Sequence, residues 1–227
     1  ERGYRVALHA TTSLADATAT AEQLCDDGAH AFAVQADLRD EHATRAMIAE
    51  VCAKFGRIDA LVNNAAIWKP KPLEEVHADD VREHFEINAL GTFLCCQAAG
   101  LAMVAQPTGG AIVNVGDWAI ARPYMDYAAY FASKGCIPTL TRTMAVELAA
   151  RNPRVRVNAV LPGPVLFPED LSEAERAAVI GATLVKRAGT PADVAGAVVF
   201  LLENTFVTGV CLPVDGGRSV FAPPPEV

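Results

Sequence analysis

Gly110-Ala111-Ile112-Val113-Asn114-Val115, a helical pattern from Tyr127 to Ala150, and Val155-Arg156-Val157-Asn158-Ala159-Val160 decide the fold. Two short β-type runs separated by a long helix make a parallel crossover, because an antiparallel pair needs only a short hairpin. The alternation continues in both directions. Strands are expected at 4–9, 31–36 and 59–64, and helices at 14–27, 41–55 and, as one or two pieces, between 78 and 106. Beyond the crossover, Thr190 and Pro191 open a helix that runs to Leu202, and 210–214 reads as a last strand. Uninterrupted apolar strands such as Ala60-Leu61-Val62 suit a sheet covered on both faces. No repeat or linker divides residues 1–227, and Pro223-Pro224-Pro225 reads as a loose end. The expected architecture is one α/β domain, a doubly wound parallel sheet that binds its ligand at the carboxyl ends of the strands.

Composition narrows the function. With 52% hydrophobic and 20% charged residues, the chain of 227 residues is not a disordered one. A net charge of −8 argues against nucleic acid or an anionic membrane surface as the main partner. No apolar run is expected to reach the ~18 residues of a membrane helix, and no signal-peptide layout opens the chain. Cys25, Cys52, Cys95, Cys96, Cys136 and Cys211 form no CxxC pair, so reduced structural thiols in a cytoplasmic protein are expected. His9, His30, His42, His77 and His84 show no metal-ligand spacing and are expected at the surface or at strand ends, so no metal site is expected.

The front of the chain is unusual. A sheet of this kind normally opens with a strand, a Gly-rich turn and a helix that hold a dinucleotide pyrophosphate. Here Glu1-Arg2-Gly3-Tyr4 reads as the end of that helix, and no G-x-G-x-x-G occurs. The missing strand would be central, and its loss would strand buried ladder groups at ~1–3 kcal/mol each. Residues preceding Glu1 are therefore expected.

The chemistry centres on Tyr130-Phe131-Ala132-Ser133-Lys134. Four residues apart on a helix, Tyr130 and Lys134 share a face. A neighbouring ammonium favours phenolate and would bring the tyrosine down from ~10 toward neutrality, fitting it for proton exchange while a hydride moves. Asn63-Asn64-Ala65-Ala66 closes one strand, Asn88 lies in Ile87-Asn88-Ala89, Pro162-Gly163 closes a later strand, and Asp215-Gly216-Gly217 follows the last.

Taken together, from about Gly3 to Gly217, these motifs resemble the short-chain dehydrogenase/reductase family, whose fold is Rossmann-like. The resemblance implies that Tyr130 is the acid/base, that Lys134 holds the nicotinamide ribose and tunes Tyr130, and that Asn88 anchors a water relay. It also implies a homotetramer. One departure stands out. The family's usual serine, thirteen residues before the tyrosine, is replaced by Asp117. That aspartate either makes a loop turn or passes a proton and bonds an NH-rich ring.

Asp117, Tyr130 and Lys134 together look like the family's pteridine reductase branch. In that branch an aromatic packs on the pterin, and Trp68 in Ala66-Ile67-Trp68-Lys69-Pro70 falls at its place. A pterin would lie between the nicotinamide and Trp68, although Trp68 could instead anchor the loop or an oligomer contact. Ala66 stands where the branch often has serine, and Phe167 where the family has a carboxamide-binding threonine. The stretch 171–184 looks like a lid helix over the substrate.

Cofactor choice is read after the first strand, where an NAD enzyme commonly carries an acid. Ala10-Thr11-Thr12-Ser13 offers hydroxyls and no carboxylate, which points to NADP(H). In the family pattern Asp37-Leu38 contacts adenine, though Asp37 could instead cap the next helix. Asn64, Ala65, Pro162 and Gly163 complete the expected cofactor contacts. The leading expectation is an NADPH-dependent reductase of pterins or folates, small-molecule substrates. A reductase of simple carbonyls, such as 3-oxoacyl thioesters, and a catalytically silent dinucleotide-binding subunit are the alternatives.

Overall fold

The computed structural model describes residues 2–221, so the Pro223–Pro225 tail lies outside the described residues. Strands β1 (Arg5–Ala10), β2 (His30–Gln35), β3 (Ala60–Asn63), β4 (Gly110–Val115), β5 (Val155–Pro162) and β6 (Cys211–Val214) carry the sheet. Helices α1 (Leu14–Asp26), α2 (Glu41–Phe55), α3 (Ala78–His84), α4 (Gly91–Ala105), α5 (Ala128–Lys134), α6 (Cys136–Ala149), α7 (Glu173–Gly181) and α8 (Pro191–Glu203) connect them. Every strand pairing is parallel, as the long crossovers require. The order is β1-β2 in one sheet and β3-β4-β5-β6 in a second. Among the described residues β1 pairs only with β2, and β3 only with β4.

The core follows from the period of two along each strand. Ile112, Val155 and Val157 face a cluster with Cys95, Cys96, Ala99 and Met103 of α4 and Met144, Ala145 and Leu148 of α6. Val113 and Val160 point the other way, onto Leu201 of α8. Each such Val, Ile or Leu contributes about 1.5–3 kcal/mol by leaving water. Helices on both faces hold β4 and β5 fixed, and their carboxyl ends are where the chemistry is built.

Local signals set the helix ends. Asp40 Oδ1 accepts from the backbone N–H groups of His42 and Ala43 and so caps α2. Gly56, at φ 77°, ends that helix in the left-handed region. Thr190 and Asp193 form a reciprocal capping box at α8, with Pro191 at its first position, as the sequence indicates.

Two expectations about helices change. The single helix expected from Tyr127 to Ala150 is divided at Gly135 into α5 and α6. The expectation that no apolar run reaches the length of a membrane helix is qualified by one helical segment. Helical structure continues from Ala78 to Ala105, 28 residues long and apolar enough by length and composition. From Ile87 onward it carries no charge, only polar interruptions at Asn88, Thr92 and Gln97, which hid it from a search for unbroken apolar runs. Half of its most apolar window is buried inside the protein. Here it is the central core helix, with Asn88, Thr92, Cys95, Cys96, Ala99 and Met103 enclosed. Between α3 and α4 it passes through one wider π-helical turn, Phe85–Leu90, which contains Asn88.

Candidate active site

The carboxyl end of β4 leads through Gly116 to Asp117. Asp117 is extended and starts a short 3-10 turn, Trp118–Ile120. Its two carboxylate oxygens have different work. Oδ1 accepts from the Ala119 backbone N–H at 2.7 Å, and Oδ2 accepts from the Tyr130 hydroxyl at 2.7 Å. The first bond fixes the carboxylate and the second aims it at the phenol. Asp117 is therefore the hydrogen-bond partner of Tyr130 as well as a turn residue.

Tyr130 is 5% exposed and Lys134, one turn later on α5, is 4% exposed. Lys134 Nζ donates to the Val115 carbonyl at 2.8 Å. The electrostatics differ from the expectation that the ammonium brings the phenol toward neutrality. Burial raises the Tyr130 pKa well above its ordinary value, and the Asp117 charge and hydrogen bond push the same way. A phenolate beside a carboxylate is penalised by like charge, and the lysine spends its bond on a backbone carbonyl. Tyr130 thus holds its proton at neutral pH. Burial brings Lys134 down to about 8, with the Asp117 charge opposing the shift.

Asn88 is fully buried and ties three elements together. Its Oδ1 accepts from the Ile67 N–H at 2.8 Å, and its Nδ2 donates to the Ile67 carbonyl and to Ser133 Oγ, both at 3.0 Å. Its own carbonyl accepts from Thr92 Oγ1 at 2.8 Å. These bonds fasten the loop after β3 to the helix that carries Tyr130. They hold the Asn88 side chain fixed, while its main-chain carbonyl oxygen, which accepts from Thr92, keeps a second lone pair for another donor. Ser133, inside the Tyr–Lys stretch, completes the link by donating to the Tyr130 carbonyl at 2.7 Å.

Aromatic rings line the approach. Trp68 stacks on Tyr127 at 4.7 Å and 13° between planes. Tyr124 meets Tyr127 and Phe131 edge-on. Trp68 is 44% exposed, so one indole face is taken by Tyr127 and a flat ligand has to use the other. The expectation that every histidine is superficial fails at His84, which is 2% exposed. Its Nδ1–H donates to the Asp80 carbonyl at 2.7 Å, and its ring lies edge-on to Tyr130 at 6.5 Å. Tyr124, Tyr127, Ser133 and His84 were not singled out as site residues. Only Ser133 carried a signal, its place between Tyr130 and Lys134.

The expected cofactor residues are spread along the strand ends. Thr11, Thr12 and Ser13 are exposed after β1, and Ser13 makes no side-chain cap bond to α1. Asn64 and Ala65 are exposed after β3. Pro162 and Gly163 end β5, and a Cβ on Gly163 would stand 2.5 Å from Asp215 Cα, so only glycine fits there. Asp37 does not cap α2, a role held by Asp40. Its carboxylate takes the Arg39 Nε and Nη2, which hold it below the usual carboxylate range. Leu38 packs its side chain into the core, and its carbonyl accepts from Thr44 Oγ1 at 3.5 Å. The stretch expected as a lid holds α7, shorter than 171–184 and capped by Ser172 and Glu175. Cys95 and Cys96 sit in the core, where burial pushes both thiols up to about 12 and leaves them unreactive.

Comparison with known proteins bears on this geometry. Residues 1–219 match the family model described as enoyl-(acyl carrier protein) reductase. The 3-oxoacyl-[acyl-carrier-protein] reductase FabG of Staphylococcus aureus is 34% identical over 221 residues, 96% of this chain and 89% of that protein. Acetoin dehydrogenase from Enterobacter cloacae superposes with a TM-score of 0.86 at 31% identity, covering 100% of this chain and 90% of that one. A blue fluorescent protein from a metagenomic library, solved in complex with NADPH, gives 0.84 at 33%, covering 95% and 88%. With its Rossmann-like parallel sheet and its Tyr130–Lys134 helix, the chain belongs to the short-chain dehydrogenase/reductase family.

Proposed function

We propose that this protein is an NADPH-dependent reductase of carbonyl compounds, of the 3-oxoacyl kind for which FabG is named. The observation that carries the reading is the buried Tyr130 hydroxyl, bonded to Asp117 at the carboxyl end of β4 with Lys134 behind it. The donor set fits the cofactor at both ends. Thr11, Thr12 and Ser13 present hydroxyls with no carboxylate to repel a 2′-phosphate, and the close approach at Gly163 leaves backbone groups at the nicotinamide end. NADPH, when bound, supplies the hydride. Tyr130 Oη gives its proton to the substrate oxygen, and the Asp117 carboxylate, which holds no proton of its own, takes one up from solvent and returns it to Oη along their hydrogen bond. Lys134 offsets the negative charge that Tyr130 carries between those two transfers. Asn88 and Ser133 hold the helix in place.

Reduction of a pterin C=N bond is the second reading. Asp117 in place of serine and the free face of Trp68 favour it. The test is NADPH oxidation with acetoacetyl thioester, a ketone panel, dihydrobiopterin and dihydrofolate side by side. Thioester turnover well above pterin turnover supports the first reading, and the reverse order supports the second. If pterins win, Trp68→Ala raises KM for dihydrobiopterin by roughly 2- to 10-fold, the size of a stacking contact. A homotetramer is part of the proposal. Phe93 and Leu101 on α4 and Val146 on α6 leave apolar surface exposed on the two longest helices of the site's support, as subunit contacts require.

A further inference from the structure

We propose that Arg218, backed by Arg122, receives an anionic group of the substrate beside Asp117. This inference rests on the reductase reading above and narrows its substrate class to carbonyl compounds that carry a carboxylate or phosphate.

The chain is acidic overall, and many of its cations are tied to acids. Around the rim Lys69 meets Glu83, Lys71 meets Asp80 and Arg187 meets Asp193. Arg122 and Arg218 form no ion pair among the described residues. Their hydrogen bonds go to backbone carbonyls instead: Arg122 Nη1 to those of Arg218 and Phe221, and Arg218 Nη1 to that of Val179 on α7 at 2.8 Å.

Arg218 is also close to the chemistry. Its Cζ lies 4.8 Å from the ring centre of Trp118, the residue after Asp117. The Tyr124 phenol feels both the Asp117 carboxylate and the Arg218 guanidinium, so both charges flank one ring. With Nη1 committed to α7, the opposite edge of the guanidinium is left over. Nε is buried with no partner, and Nη2 makes no hydrogen bond among the described residues. Nη2 is thus the donor left for a carboxylate or phosphate, and Nε, sealed from solvent, joins it as a second parallel donor only once the atoms covering it move aside. Arg122 adds a second positive charge close by, and each guanidinium repels the other until an anion arrives. The contact with Trp118 helps hold the guanidinium in place.

The test uses the full-length protein and two matched pairs of probes. Acetoacetyl-coenzyme A is set against S-acetoacetyl-N-acetylcysteamine, the same thioester without phosphates. Acetoacetate is set against ethyl acetoacetate. The wild type is expected to favour the charged member of one pair by about tenfold or more in kcat/KM, the size of one hydrogen bond to a charged group. The pair showing the advantage tells phosphate from carboxylate. Arg218→Gln is expected to reduce that advantage to within about twofold, and Arg218→Lys to keep part of it. No advantage in either pair overturns the proposal. So does an Arg218→Gln variant that loses both members equally, which would make Arg218 a brace for α7. A rise confined to KM for NADPH would assign Arg218 to the cofactor and also overturn it. If Arg218→Gln does not fold, Arg122→Gln and added salt probe the same field. Each should lower the advantage, and indifference to both overturns the proposal. If none of the four compounds is reduced, calorimetric binding of the same compounds decides. Charged-member binding that depends on Arg218 without turnover sinks the reductase reading and keeps this one, while binding that ignores Arg218 overturns it.

Discussion

In the four-stranded sheet, β5 buries six of its eight residues and β4 four of six, whereas β1 and β2 each bury only one. The buried half carries Asp117 and, through α5, Tyr130 and Lys134. The thin half carries Thr11–Ser13 and Asp37, exposed or half-exposed polar groups at strand ends. The burial of β1 and β2 is that within residues 2–221, where β1 is paired along one edge only, so the contrast that carries over to the chemistry is in the kind of group each half presents. Proton transfer needs groups whose charge states are set by a dry, rigid surrounding, while an adenosine end can be held by groups that stay hydrated until the ligand comes.

The contrast breaks most sharply at Tyr130. Tyr130→Phe is expected to lower kcat for reduction by about 10²–10⁴-fold while leaving NADPH binding nearly intact, because the change deletes a proton donor and no contact on the thin half. Turnover at the wild-type rate would remove Tyr130 from the chemistry. Hydrogen exchange read by mass spectrometry should show amides of β4 and β5 protected at least ~100-fold more than those of β1 and β2, since local opening follows burial. Equal protection would mean that both halves open as one unit. On the thin half, the absence of an acid in Ala10–Ser13 leads to a preference for NADPH over NADH of about tenfold in kcat/KM, and a preference for NADH would reverse it.

The smallest effect concerns Lys134. Its folded value of about 8 lies below its ordinary 10.5. Below pH 8 the buried ammonium is fully charged and its desolvation cost is fully present. Between 8 and 10.5 the folded state loses the proton first and gains stability relative to the unfolded chain. Lys134→Met should therefore melt a few degrees above the wild type at pH 7, with the gap closing as pH rises through that window. A gap that widens with pH would contradict the burial assignment.

Much of the buried half was legible in the sequence because strand period and helix spacing fix it. Glu41–Phe55 and Gly110–Val115 stand where the pattern puts them, and Tyr130 and Lys134 share a face as four-residue spacing dictates. What was not legible depends on contacts across the chain. Nothing local says that Lys134 Nζ finds the Val115 carbonyl, or that Asp117 raises the tyrosine that a lysine alone would lower. Trp68 was legible as an aromatic at the mouth, but its partner Tyr127 lies 59 positions away. His84 reads as one polar residue among charged neighbours, Arg82, Glu83 and Glu86, and only the packing of α3 against α5 encloses it.

The π-helical turn at Phe85–Leu90 has a consequence for how this chain tolerates changes in length. Each residue of an ordinary α-helix turns the next by about 100°. Deleting one residue from this turn would regularise the helix and leave its two sides in phase, whereas a deletion in the regular stretches would swing one side against the other by about that angle. Such a swing would take either Asn88 from Ile67 and Ser133 or Cys95, Cys96 and Met103 from the core. Single-residue deletions scanned from 78 to 105 should thus be better tolerated for folding across 85–90 than across 91–105, with the loss at 85–90 confined to the contacts of Asn88. The irregular turn works as a phase adjuster, letting one rod serve the reaction with its first half and the hydrophobic interior with its second.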